Sequence, residues 1–152
     1  MAARYFDDFS VGEVFTSGGV TVTETAILDF ALSYDPQPFH IDVNAAAEGP
    51  FAGLCASGFQ TLALSFRVFY DANVINACSL GSPGFDELRW TAPVRPGDTL
   101  SVEARVRETR PSKSKPDRGI LMLDFATRNQ HGHTVMTFKA IILAIRKTGT
   151  DG

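Results

Sequence analysis

An acid and an imidazole stand five residues apart in the run Tyr34-Asp35-Pro36-Gln37-Pro38-Phe39-His40-Ile41-Asp42, with two prolines between them. Asp35 and His40 are residue types that serve as general acids and bases when both reach one substrate. Pro36 and Pro38 fix their φ angles, which removes backbone freedom that would otherwise have to be frozen to bring the two groups together. The structural alternative is that Asp35 ends a helix and His40 is a satisfied, half-buried histidine, the commoner fate of a lone histidine. On residue types alone both readings stand.

The flanking elements must position this run. Thr23 has the chemistry of a helix N-cap with Glu24 in the first turn, and Ile27, Phe30, Ala31 and Tyr34 fall at i, i+3, i+4 and i+7. That helix must end by Tyr34 or Asp35, because each proline biases its predecessor away from helical angles. Asp35 to His40 is then expected to be a rigid, extended or turning loop. Asp42 can cap a short helix over 44–48, broken by Gly49-Pro50 and Gly53. A longer helix is predicted from about Ser57 to Ala72. Its Phe59, Leu62, Ala63, Leu64, Phe66, Val68, Phe69 and Tyr70 occupy most of the circumference, which predicts burial on nearly every side.

The remaining segments supply a covering sheet. Leu100, Val102, Ala104 and Val106 alternate with Ser101, Glu103, Arg105 and Arg107, the period-two pattern of a strand with one wet face. Further strands are predicted at 85–90, 120–127 and 135–146, with a short strand or hairpin around Gly18-Gly19. The turns are Pro96-Gly97 and Asn129-Gln130-His131-Gly132. An antiparallel sheet curled around one long helix, an α+β fold, is the simplest architecture these parts permit.

Composition narrows the partners. Hydrophobic residues are 44% and charged residues 20%, a balance that supports a packed interior, and no linker-like run divides residues 1–152, so a single domain is expected. The net charge of -3 comes from interspersed acids and bases, which argues against nucleic acid as a partner. The start lacks the pattern of a secretory signal and no segment reaches the roughly 20 apolar residues of a membrane span, so a cytoplasmic protein without membrane contact is expected. Cys55 and Cys78 have no zinc-like spacing and read as buried free thiols.

The motif around Asp35 resembles the hydratase motif of the MaoC-like, or (R)-specific enoyl-CoA hydratase, family, a member of the hot-dog superfamily. That motif leads into an Asp-x-Asn-Pro-aliphatic-His run followed by an acid. Asp35, Pro38, His40 and Asp42 match it, while Gln37 stands where asparagine is usual and Phe39 where a smaller aliphatic residue is common. Ala56-Ser57-Gly58 is similar to the family's Ala-His-Gly at the start of the central helix. Trp90-Thr91-Ala92-Pro93-Val94-Arg95-Pro96-Gly97-Asp98 is similar to its aromatic-x-x-Pro-Val-x-x-Gly-Asp turn.

The resemblance implies a hot-dog domain acting as a homodimer or larger even assembly on an acyl-CoA thioester. The reaction would be reversible syn hydration of a trans-2-enoyl-CoA to the 3-hydroxyacyl-CoA. By the same resemblance Asp35 and His40 are the catalytic pair and Gly58 the oxyanion-hole residue, although close helix packing accounts for a glycine there equally well. Gln37 and Phe39 are candidates for contact with the substrate. No cofactor is expected, since coenzyme A is part of the substrate, and no metal. Other hot-dog proteins are thioesterases, and a non-catalytic acyl-CoA binder is a third class. The Asp-to-His spacing favours hydration.

Two features stand outside the motif. His131 and His133 flank Gly132 with no third ligand in view and read as part of a hairpin turn. The segment Arg110 to Arg118 concentrates positive charge in an expected loop. Its Lys113 and Lys115 are candidates for the coenzyme A phosphates, with a solvated loop as the alternative.

Overall fold

A computed structural model describes residues 2–148. A short 3-10 turn at Phe6–Asp8 leads into β1 (Val14–Thr16) and β2 (Val20–Thr21). Helices α1 (Glu24–Tyr34), α2 (Pro38–Ile41), α3 (Val43–Ala47) and α4 (Gly58–Asp71) follow, and then β3 (Gly84–Trp90), β4 (Thr99–Pro111), β5 (Arg118–Arg128) and β6 (Thr134–Ile145). The strands form one antiparallel sheet in the order β1-β4-β5-β6-β3, with β2 also pairing β4. The segment around Gly18-Gly19 is therefore not a hairpin. Both of its short strands lie on β4, because the diglycine breaks the run between them.

Alternation sets the faces of the sheet as expected. Leu100, Val102, Ala104 and Val106 of β4 are buried, as are Leu121, Leu123 and Phe125 of β5 and Phe138, Ala140, Ile142 and Ala144 of β6. Helix α4 packs on this face with Thr61, Ser65, Val68 and Phe69 buried, while the buried Gln60 turns to α1, its amide donating to Ala26 O. Phe69 meets Phe125 edge to face at 4.8 Å, and the Ser65 hydroxyl lies 2.7 Å from that of Thr127 on β5.

Burial of α4 on every side is not what the fold produces. Phe59 is 61% exposed and Phe66 and Tyr70 are also exposed, while Thr61 and Ser65 share the buried side with Val68 and Phe69. Thr61 and Ser65 allow close approach, and their hydroxyls find acceptors in the carbonyls one turn back, so a polar seam is satisfied where aromatic rings would hold the helix away. The buried stripe of α1 is likewise narrower than its spacing suggested. Ile27 and Ala31 are buried, whereas Tyr34 is exposed and pairs with the Phe30 ring at 5.1 Å.

The caps behave as their chemistry dictates. Thr23 Oγ1 accepts from Ala26 N–H, and Asp42 Oδ1 accepts from Asn44 and Ala45 N–H. The hairpin between β5 and β6 closes through Asn129, whose N–H donates to His133 O and whose Oδ1 accepts from the N–H groups of His131 and His133. Among the described residues no helix is long and apolar enough to cross a membrane.

At the far end of the sheet from α1 and α2, Gly119 of β5 sits under the buried Phe6 ring. A Cβ there would lie 2.3 Å from Phe6 Cε2. Gly119→Ala is expected to cost about 1–3 kcal/mol of overpacking and to lower Tm by several degrees in a thermal melt.

Candidate active site

The two prolines do more than stiffen a loop. Helix α1 ends with Asp35 N–H donating to Ala31 O, Pro36 stops it, and Pro38 occupies the first position of a new single turn, where its missing N–H removes no helical bond. His40 is therefore helical rather than in a loop, and its N–H donates to Gln37 O. The reversal brings His40 Nε2 to 3.3 Å from Asp35 Oδ2, with side-chain exposures of 7% and 11%.

Each remaining polar atom of the pair is held. His40 Nδ1 is 2.7 Å from Cys55 O, and a carbonyl can only accept, so Nδ1 carries a proton and Nε2 faces the carboxylate. Asp35 Oδ1 accepts from Gln37 Nε2 at 2.7 Å and Oδ2 from Ser57 Oγ at 2.7 Å. Burial pushes the Asp35 carboxyl upward, but the hydrogen bonds from Gln37 and Ser57 and the proximity of His40 outweigh it and hold the group below its ordinary value. With neutral His40, Nε2 and Oδ2 are two acceptors side by side. They can share a proton or jointly accept from one water.

Above this pair opens a cavity of about 390 Å³. Two aromatic pairs wall it: Phe39 with Phe51 at 5.2 Å, and Phe59 with Trp90 at 6.2 Å. Phe39 also meets the His40 ring edge to face at 4.6 Å. Gly58, the first residue of α4, lines the same cavity, and a Cβ on it would lie 2.4 Å from the Trp90 indole, whose Nε1–H donates to Gly58 O. Close packing thus accounts for the missing side chain. The Gly58 N–H is at the same time one of the first-turn donors that a helix leaves without an intrahelical acceptor.

The structure brings Asp35, His40, Gln37, Phe39 and Gly58 to one place. Gln37 spends its amide on Asp35. Lys113 and Lys115 lie elsewhere, in the tip joining β4 to β5, while Trp90 and the cavity sit at the opposite end of the sheet, beside the start of β6. The length of β5 separates them, about 30 Å at ~3.3 Å per residue. Arg110, Pro111 and Arg118 belong to paired strands rather than to that loop. His131 and His133 are in the β5–β6 turn, and among the described residues no group of three or more His, Cys, Asp or Glu could hold a metal ion. Cys55 and Cys78 are buried free thiols, as expected. Ser57 is the contact that residue reading missed. Its N-cap position before a helix was the available signal, since the residue just ahead of a helix start faces whatever the helix points at.

Residues 9–121 match the MaoC-like domain. The chain is 32% identical over 124 residues to the uncharacterized protein YdeM of Bacillus subtilis (strain 168), covering 82% of this chain and 86% of that one. It spans less of other curated relatives, only 29% of the length of protein MaoC from Klebsiella aerogenes. Among solved structures, the MaoC-like dehydratase from Rhodospirillum rubrum superposes with a TM-score of 0.91 at 38% identity, covering 97% of this chain and all of that chain. The R-hydratase PhaJ1 from Pseudomonas aeruginosa in its unliganded form superposes with a TM-score of 0.68 at 26% identity, covering 94% and 86%. The sheet wrapped on α4 is the hot-dog fold, and this chain belongs to the MaoC-like dehydratase family.

Proposed function

We propose that this protein hydrates a trans-2-enoyl-CoA to the 3-hydroxyacyl-CoA, and catalyses the reverse dehydration. The observation that carries this reading is the buried Asp35–His40 pair, 3.3 Å apart, with its outer atoms already satisfied and its two inner acceptors turned toward a cavity. In the hydration direction a water donates to Nε2 and to the carboxylate. Its oxygen bonds to the β-carbon as the carbon–carbon π electrons move toward the thioester carbonyl, and its proton passes to Nε2. Collapse of the enolate then takes that proton onto the α-carbon from the same face. Asp35 stays ionised, orients the water and balances the imidazolium. The Gly58 N–H, at the positive end of α4, would donate to the oxygen on which negative charge develops.

Aromatic rings and an ionised Asp35 around the acyl site suit a neutral acyl group. A second carboxylate would have to leave water beside like charge. The exposed Phe59, Phe66 and Tyr70 of α4, with the free edge of β3, are a surface that a second copy of the chain would cover, consistent with a homodimer.

Loss of the enoyl-thioester absorbance of crotonyl-CoA without release of free thiol is the expected signature, and thiol release would instead establish a thioesterase. Asp35→Asn and His40→Ala should each lower kcat by about a hundredfold or more while the protein remains folded by circular dichroism. Near-normal turnover in either would overturn the assignment. Competition between crotonyl-CoA and mesaconyl-CoA should favour the neutral substrate in kcat/KM by about a hundredfold, the order expected for a buried carboxylate without a cation. Because the folded Asp35 value is depressed, its contribution to stability is complete above the ordinary carboxylate range and is lost as pH falls below about 4. The Tm of the wild type should therefore fall more steeply than that of Asp35→Asn over that range.

A further inference from the structure

The segment between α3 and α4, residues 48–57, has no regular structure, yet it builds one wall of the site. Phe51 packs on Phe39, Cys55 O accepts from His40 Nδ1–H, Cys55 N–H donates to Phe39 O at 3.1 Å, and Ala56 N–H donates to Val94 O at 2.9 Å. Its backbone is strained where it turns. Ala52 has φ +53, a left-handed conformation that local preference does not explain.

Three carbonyls of this segment converge on a single side chain. Arg95 Nη2 donates to Phe51 O, and Arg95 Nη1 donates to Gly53 O at 2.9 Å and to Leu54 O at 3.4 Å. Among the described residues Arg95 makes no ion pair, so its fork is spent on backbone. The arginine is itself anchored. Its N–H donates to Asp98 Oδ2 at 2.8 Å, Asp98 Oδ1 accepts from Gln130 Nε2 at 2.9 Å, and Gln130 Oε1 accepts from Thr99 N–H at 3.0 Å. The buried Asp98 thereby ties the β3–β4 turn and the β5–β6 turn into one rigid block, and Arg95 extends from that block into the wall segment.

We infer that Arg95 is a positioning residue for His40: by clamping the carbonyls of Phe51, Gly53 and Leu54 it holds Cys55 O where it selects the Nδ1–H tautomer and leaves Nε2 toward Asp35. Arg95 is not among the residues that line the cavity. It acts through the residue next to Leu54. A planar fork is required, since a single ammonium cannot span three carbonyls, so lysine is not an equivalent. The catalytic meaning of this clamp rests on the hydratase reading, but its structural content does not.

The test is made on Arg95→Met and Arg95→Lys in the full chain, with folding verified by circular dichroism and Tm. In wild type the ¹⁵N shifts of His40, assigned by comparison with His40→Ala, should report one Nδ1–H tautomer at neutral pH. In the variants they should move toward a mixture, and kcat for crotonyl-CoA should fall by about ten- to a hundredfold, with KM changed far less, as expected when a reacting group is displaced by a fraction of an ångström to 1 Å. A folded variant in which His40 keeps the wild-type ¹⁵N pattern overturns the inference. If Arg95→Met does not fold, Arg95→Lys is judged by the same spectra. A wild-type chain that does not hydrate crotonyl-CoA counts against the proposed reaction and leaves the tautomer measurement intact.

Discussion

A carboxylate almost withdrawn from water keeps its charge only when other groups replace the hydration it has lost. Asp35 has two such neighbours, an amide on one oxygen and a hydroxyl on the other, and the His40 imidazole lies 3.3 Å from the second oxygen. The need to satisfy this group explains much of the surrounding architecture. The end of α1 delivers the carboxylate, the start of α4 delivers the hydroxyl, and the single turn of α2 delivers the imidazole. Three helix termini must meet at one point, and the chain meets that requirement with prolines that stop one helix and begin the next within four residues.

Helix α4 carries the second constraint. Its inner face has to approach the sheet closely, and at Thr61 and Ser65 this is done with small hydroxyl side chains, absorbed by backbone carbonyls and by Thr127, before Phe69 packs on Phe125 further along. Its first residue has to leave room for the Trp90 indole, which is why glycine occurs there. Both choices fix the start of α4 relative to β3, and that start supplies the Ser57 hydroxyl and the Gly58 N–H. Packing and chemistry thus use the same residues. The outer face of α4 keeps its aromatic rings in the open within one chain, so the apolar circumference read in the sequence reflects more than the protein's own core.

The fold alone is shared by proteins that hydrate, dehydrate or cleave thioesters, so the functional reading rests on the site. An acid and a base whose Oδ1 and Nδ1 are tied, and whose Oδ2 and Nε2 lie side by side at a cavity, are arranged to handle water and a proton. The aromatic walls make the space beside that pair apolar. The Arg95 clamp describes how an irregular segment is kept stiff enough to hold an imidazole in one tautomer.

Much of this was legible in the residues because it is local. The Thr23 and Asp42 caps, the stop at Pro36, the turn at Pro96-Gly97 and the alternation in β4 each depend on neighbours within a few positions, where side-chain chemistry and backbone sterics act directly. Asp35 and His40 were visible as a pair for the same reason, although the helical turn starting at Pro38 was not, since proline's tolerance of a first helical position is only one of its options. Membership in the family was legible from three short motifs in order. The long-range contacts were not. Ser57 reaches Asp35 across 22 positions, Trp90 reaches Gly58 across 32, and Arg95 reaches Phe51 across 44. Residue type announced that Lys113 and Lys115 were charged but not which end of the sheet they would occupy, and it marked α4 as apolar but not which side would face the core. Those outcomes depend on strand register and on how helices settle against the sheet, and they exist only once distant segments have paired.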